Sequence, residues 1–514
     1  MPESDSWRYA LDADDIPEGH PTSVKLGKKL ILISRTADGQ IRACSGKCTH
    51  YGAPLHKGCQ HDATITCPWH TARFDLTDGR MVSPPALSDL KSYPVKIDNG
   101  KVYLGEASKP EPAKATIGQD RTFLIVGAGA AGNTAAETLR REGFAGRILM
   151  VTAESDRPYD RPSLSKGYLS GEAPDKWIPL HGPDFYENWD IELLTEHKAI
   201  DLDTDRQVVS FEGEKDIGYD KLLCATGGVP RKMDIDGADA QNVFYLRTYQ
   251  DARNIVRATE NAERIAIIGA GFIGMEAAAA LQEGGKEVHV IAPESIPLVP
   301  VFGEEIGKWL QGIHEQHGVQ FHLRNTVESI RDNSGRKGLV LSTGKEITAD
   351  AVLIAIGISP ATDWLAGSGI AEDGVVPVNG HLESKVPDVY AAGDIARVPS
   401  PQVGNKYRVE HWAVAERQGQ CAARNMVGKT EQYDEVPFFW TMQFETSVKF
   451  AGFPEDYDQV TYRGRVADGE FVAAYHTGDQ LVGVSGLGRT DEILACINAL
   501  KCGTNITPED FRDG

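Results

Sequence analysis

Two stretches of the chain repeat one order of apolar and polar positions, with Gly127 in the first and Gly269 in the second, 142 residues apart. In the first, the apolar run Phe123-Leu-Ile-Val126 enters a glycine turn, then a helix-period pattern from Asn133 to Gly143, then a second apolar run, Arg147–Thr152. In the second, Ile265-Ala-Ile-Ile268, a glycine turn, a helical stretch and Glu287–Ile291 follow in the same order. Short continuous apolar runs on either side of a helix predict parallel strands buried on both faces. After residue 430 the pattern changes to short runs separated by polar turns, at Val448–Gly452, Gln459–Arg463, Phe471–Tyr475 and Leu481–Val484, with a helical pattern over Asp491–Leu500. That order predicts a compact C-terminal α/β cap.

At 514 residues with 41% hydrophobic content the chain is too long for one core and long enough for three or four domains. Its formal charge of −21 argues against a nucleic-acid backbone or an anionic membrane as partner, since both would repel it. Residues 1–105 hold 13 basic and 12 acidic side chains, so the acidity lies in the remainder. The N-terminal residues show neither a basic nor an apolar targeting region, and no run of eighteen apolar residues occurs. With eight cysteines, this reads as a cytoplasmic protein in a reducing compartment. A polar stretch rich in Pro, Lys and Ala, residues 106–119, reads as a linker.

The glycine turns carry the first chemistry. In G127-A-G129-A-A-G132, Gly127 makes the tight turn, Gly129 lets the backbone approach a pyrophosphate, and Gly132 allows close helix packing. The helix start supplies N–H groups to the phosphates, and Glu154 after the second strand can accept from ribose hydroxyls. G269-A-G271-F-I-G274 and Glu294 repeat the arrangement. One such motif is weak, but two in matching strand and helix context predict two bound dinucleotides. At the second, Ala292 holds the commonest acid position, Glu294 lies two residues on, and no arginine cluster follows to hold a 2′-phosphate; NADH is favoured over NADPH.

The second chemistry is C48-T-H50-Y-G-A-P-L followed by C67-P-W-H70, with sixteen residues between His50 and Cys67. Two cysteines and two histidines at two loop tips match the set in which two imidazoles replace two thiolates on one iron of a [2Fe-2S] cluster. The alternative is a structural zinc drawn from Cys44, Cys48, Cys59, Cys67 and nearby histidines, but zinc knuckles usually open with Cys-x₂₋₄-Cys or close with His-x₃₋₅-His, whereas here Cys-x-His pairs with Cys-x₂-His. With Gly52, Pro54, Leu55, Pro68 and the exit F74-D-L-T-D-G79, the pattern resembles the Rieske family over about the first hundred residues. Respiratory members carry one further cysteine in each loop as a disulfide. Ala53 and Trp69 stand there, which implies a ferredoxin-like, lower-potential centre and leaves Cys44 and Cys59 as free thiols.

C224-A-T-G227-G228, A355-I-G357 and Y390-A-A-G393-D394 follow in the order of the two-dinucleotide-domain flavoproteins, which the chain resembles from about residue 120 onward. The resemblance implies FAD on the first glycine motif, nicotinamide nucleotide on the second and the flavin ribitol near Asp394. The disulfide reductases of that family place redox cysteines just after the first module, whereas R157-P-Y-D-R-P-S-L-S-K166-G-Y-L-S-G171 has none. That stretch, R408-V-E-H-W412 and V436-P-F-F-W440-T-M-Q443 resemble the oxygenase-coupled ferredoxin reductases and, with the Rieske segment in front, the apoptosis-inducing-factor-like Rieske flavoproteins. The implied fold is multidomain: an all-β Rieske domain over residues 1–105, two α/β Rossmann-like domains and an α+β C-terminal domain over 431–514. The FAD domain, 120–235 and 356–430, is interrupted by the NAD(P) domain, 236–355.

Arg161, Lys166 and Trp440 are implied neighbours of the flavin. An ammonium at Lys166 would stabilise negative charge developing as hydride arrives, the alternative being an ordinary surface lysine. Glu276, two residues past Gly274, would serve as a helix-start carboxylate or, as the resemblance suggests, pair with Lys166. The expected activity is electron transfer from NADH through FAD to the cluster and on to a protein acceptor such as an oxygenase or a ferredoxin. Two alternatives are a self-contained NADH oxidase or quinone reductase, and a redox-responsive NADH-binding signalling protein. The acceptor and the oligomeric state are not written in the chain.

Overall fold

The computed structural model describes residues 7–111, 114–333, 335–400, 406–453 and 457–513, in two compact units, one holding the chain up to Ile117 with Thr138–Ala145 and Thr490–Ala495, and the other the rest. The linker reading, 106–119, includes residues 112 and 113, which lie outside the described residues, as do the first six residues of the targeting argument.

Up to Ile117 the first unit is all β. Strands Thr22–Leu26, Lys29–Arg35 and Ile41–Ser45 form an antiparallel sheet, Arg8–Asp12 pairs with Lys101–Leu104 and that with Val95–Asp98, and a small meander runs through Cys59–His61, Thr64–Thr66, Arg73–Asp75 and Met81–Ser83. The meander packs Leu55, Ile65, Phe74 and Leu76 around the two cysteine loops, each of the four within 1% of complete burial. Ser108, inside the stretch read as linker, exchanges backbone hydrogen bonds with Ser92, so the chain stays attached to this unit past the last strand.

The second unit contains two parallel five-stranded sheets of one design. The first runs Ile191–Leu194, Arg147–Val151, Thr122–Val126, Lys221–Cys224, Val389–Ala391; the second runs Val243–Tyr245, Ala351–Ile354, Arg264–Ile268, Glu287–Ala292, Gln320–Leu323. Every strand of the second falls between residues 224 and 389, so the first sheet is completed only after the second is closed. Each apolar run of the sequence is a buried strand, as parallel sheets covered on both faces require. The last part is a five-stranded antiparallel sheet, ordered Phe438–Gln443, Thr446–Gly452, Gln480–Leu487, Glu470–Thr477, Gln459–Arg465, followed by helices Thr490–Cys502 and Pro508–Asp513. Its Phe439, Phe450 and Phe471 share one core with Met275, Phe302 and Leu310 of the second parallel layer. No described helix is long and apolar enough to cross a membrane.

Candidate redox site

The two cysteine loops have one backbone design. The Cys48 amide donates to Ala53 O (2.9 Å) and Gly52 N to Cys48 O (3.0 Å); the Cys67 amide donates to Ala72 O (2.8 Å) and Thr71 N to Cys67 O (3.2 Å). The fourth residue on has positive φ in both, +79° at Gly52 and +57° at Thr71, which turns each loop back on itself. The loops bring His50 Nδ1 and His70 Nδ1 to 2.9 Å, and the Cys48 thiol meets Cys67 by a hydrogen bond. That bond, followed by burial, holds the Cys48 thiol well above its ordinary range, a bias that a bound cation reverses.

The donors therefore fall into two pairs, a buried sulfur pair and a half-buried nitrogen pair. A single tetrahedral ion needs four converging ligands, yet the described residues gather no three His, Cys, Asp or Glu around one point. Cys44 is turned into the core with its thiol on Leu76 O (3.5 Å), and burial pushes it up to about 12; Cys59 is exposed. Two pairs suit two irons, and the zinc set is not assembled. Tyr51 stacks on His50 with ring centroids 3.9 Å apart, and Trp69, in the position of a respiratory cysteine, is exposed.

In the second unit, the glycine turns show what each glycine does. A Cβ on Gly127, whose φ is +112°, would lie 2.1 Å from Ala225 O, and one on Gly132 would lie 1.8 Å from Gly127 O. Gly269 (φ +113°) and Gly274 repeat this, with 2.3 Å to Ala355 O and 2.1 Å to Gly269 O. Around the middle glycines, Gly129 and Gly271, nothing lies within 4 Å, so each turn leaves open space at the start of its helix, Ala130–Arg141 or Phe272–Glu283. Unpaired helix-start N–H groups beside such a space could hold a pyrophosphate. The residues fit a dinucleotide at both turns.

Around the first turn, Arg161 Nη2 pairs with Glu154 Oε1 at 2.8 Å, and Tyr159 donates to the other carboxylate oxygen at 2.5 Å. Arg161 also donates to the carbonyl of Arg247, whose own guanidinium pairs with Asp394 at 2.9 Å. Arg247, which the sequence reading missed, thus joins three predicted positions from segments 154–161 and 394. No motif announces it.

Lys166, half-buried, and Glu276, buried, meet as an ion pair, Nζ to Oε2 2.7 Å, with Ser165 donating to the same oxygen at 2.6 Å. The capping reading of Glu276 is thereby set aside: this carboxylate points at Lys166. Thr441 donates to its other oxygen at 2.9 Å. Residues 439, 441 and 443 share the buried face of their strand, while Trp440 lies on the opposite face, half-buried beside Phe438. His411 is a further missed residue: its ring stacks on Phe439 at 3.9 Å, and burial pushes it down to about 4. Glu294 is exposed two residues beyond its strand.

The fold and its sites agree with the family models. Residues 121–419 match the pyridine nucleotide-disulphide oxidoreductase model, 6–94 the Rieske [2Fe-2S] domain and 438–514 the reductase C-terminal domain. The chain belongs to the pyridine nucleotide-disulphide oxidoreductase family, in a form that carries a Rieske domain ahead of a ferredoxin-reductase body. It is an FAD-containing, NAD(P)H-dependent oxidoreductase with a Rieske [2Fe-2S] centre.

Among particular relatives, it is 35% identical over 511 residues to apoptosis-inducing factor 3 of Homo sapiens, covering 95% of this chain and 84% of that protein. The ferredoxin reductase for the CYP199A2 system from Rhodopseudomonas palustris superposes with a TM-score of 0.73 at 30% identity, over 76% of this chain and 96% of that one. The covalent putidaredoxin reductase–putidaredoxin complex gives 0.72 at 29%, over 76% and 95%.

Proposed function

We propose that Cys48 and Cys67 hold one iron of the cluster and His50 and His70 the other, and that the protein passes electrons from NADH by way of this centre to a separate redox protein. The carrying observation is the division of the four donors into a sulfur pair and a nitrogen pair. When bound, FAD accepts two electrons as hydride and releases them singly, which is what a one-electron cluster needs.

Gly127, Gly129 and Gly132 cradle the FAD pyrophosphate, Glu154 and Arg161 fix its ribose end, and Asp394 faces the ribitol. Gly269, Gly271, Gly274 and Glu294 take the nicotinamide nucleotide, NADH in preference to NADPH. Lys166 supplies a cation where negative charge develops, and Glu276 holds that cation in place. Trp440 would form the rim of this site. The domain limits stay at 1–105, 120–235 with 356–430, 236–355 and 431–514. An acceptor of ferredoxin or oxygenase type is supported by the partner in the putidaredoxin reductase complex. Eight cysteines, two of them taken as ligands and none in a disulfide, support a cytoplasmic setting.

Anaerobic titration with NADH, and separately NADPH, followed by flavin absorbance and low-temperature EPR, tests the path. Flavin bleaching with a growing Rieske signal, reached at lower NADH than NADPH, is expected. Bleaching with no cluster signal in iron-replete protein would overturn it.

A further inference from the structure

The hydrogen bonds that hold Glu276 continue beyond Thr441. Gln443 Nε2 donates to Thr441 Oγ1 at 3.1 Å, and Gln443 Oε1 faces His314 Nε2 at 3.0 Å. Thr441 and Gln443 stand two apart on one strand and so share a face, and His314 lies in the last turn of helix Val299–Gln316. The chain is dry: His314 is 0% exposed, Thr441 and Gln443 1% each, and Glu276 4%. Phe444 and Phe321 close edge-on around His314, with centroids at 4.9 and 6.0 Å, and His314 Nδ1 has no partner among the described residues.

Elementary valence gives this chain a direction. A carboxylate paired with an ammonium has only lone pairs to offer, so the Thr441 hydroxyl spends its one proton on Glu276 Oε1. Its oxygen then accepts, which turns the NH₂ end of Gln443 toward it and leaves the amide oxygen for His314. His314 must therefore donate from Nε2. Burial holds this imidazole neutral at ordinary pH, so its single ring proton sits on Nε2 and Nδ1 carries the bare lone pair.

We propose that His314, Gln443 and Thr441 are positioning residues for flavin reduction, a polarised chain in which the Nε2–H tautomer of His314 orients the Gln443 amide and thereby aims the Thr441 hydroxyl at Glu276. The inference rests on the reading of Lys166 and Glu276 as the charged pair beside the flavin. No proton travels along the chain. With the His314 donor removed, the amide is free to rotate, its oxygen takes the Thr441 proton, and Glu276 Oε1 loses its donor. The carboxylate then turns to share both oxygens with Ser165 and Lys166, and the ammonium moves with it. Helix Val299–Gln316, the C-terminal sheet and the helix bearing Glu276 are in this way tied to one nitrogen atom.

The test uses the holoprotein labelled with ¹⁵N-histidine, the His314 ring signal being assigned by its loss in His314→Phe. Wild type is expected to show a protonated Nε2 and a bare Nδ1. Thr441→Val, which keeps the shape and removes the hydroxyl, is expected to bring in the Nδ1–H tautomer, while Thr441→Ser retains the wild-type signal. In stopped-flow reduction at saturating NADH, Thr441→Val and His314→Phe should slow flavin bleaching by about tenfold, the loss of one buried hydrogen bond to a charged group, with NADH affinity changed less than threefold. Thr441→Ser should recover most of the rate. A proton on Nδ1 in wild type, or a His314 signal indifferent to Thr441→Val together with an unchanged reduction rate, would overturn the proposal. Lys166→Ala separates the two levels. If it leaves flavin reduction unaltered, the reading of the charged pair falls; if it slows reduction while Thr441→Val matches wild type, that reading stands and the chain's positioning role falls.

Discussion

His70 and Lys166 are the residues on which the electron path is most directly tested. Thiolate is the stronger donor of negative charge, so His70→Cys should retain a cluster and lower its midpoint potential, read by EPR-monitored redox titration. An unchanged potential would remove His70 from the ligand set. Lys166→Ala should slow NADH-driven flavin bleaching by about tenfold or more while the iron and sulfide content holds, because a half-buried cation facing developing negative charge is typically worth that much. The cluster residues were readable because ligands cluster in sequence: Cys48 with His50 and Cys67 with His70 stand two and three residues apart. Arg247, His411 and Thr441 were not marked as site residues, since their partners lie at Asp394, Phe439 and Glu276, and only folding brings those segments together.

At the scale of elements, the two strand–turn–helix units depend on backbone contacts that only glycine tolerates. Gly132→Ala would drive a methyl group to within 1.8 Å of Gly127 O, so the helix Ala130–Arg141 must back away from its strand and open the turn. The expected result is protein purified with little FAD and a flavin-to-protein absorbance ratio reduced severalfold; a ratio equal to wild type would mean that the turn does not cradle the cofactor. Gly129 has free space around it, so Gly129→Ala should keep the fold and weaken FAD by encroaching on the ligand instead. The elements themselves were legible because parallel strands buried on both faces leave continuous apolar runs, and turns next to them leave glycine. The face presented by Phe438–Gln443 was not: the resemblance points to Trp440, and the strand's alternation puts Thr441 toward Glu276.

For the molecule as a whole, buried titratable groups set the pH dependence of stability. His314, His322 and His411 are pushed down to about 4 from an ordinary 6.5, so between those values the unfolded chain holds up to three protons on these rings that the folded one does not. Glu416 acts in the opposite sense, since burial raises it well above its ordinary 4.5 and the folded state keeps one proton that the unfolded chain releases. Stability from these histidines is complete above about 6.5 and is lost as pH falls toward 4, with Glu416 opposing part of that slope. The thermal midpoint of the holoprotein should therefore fall between pH 7 and 5; a midpoint that is flat or rises across that range would show that these imidazoles are not buried neutral. What the amino-acid sequence by itself determined is the chemistry carried by neighbours along the chain: two glycine cradles, two Cys/His half-sites, the acidic body and the absence of a redox cysteine after the first module. Tertiary structure decided between the two readings of Glu276 by setting it against Lys166, and it alone supplied the bridge through Arg247 and the direction of the His314 chain. Those contacts join residues 86 or more apart, or within one strand depend on which face is buried, and no local pattern encodes a partner that only packing supplies.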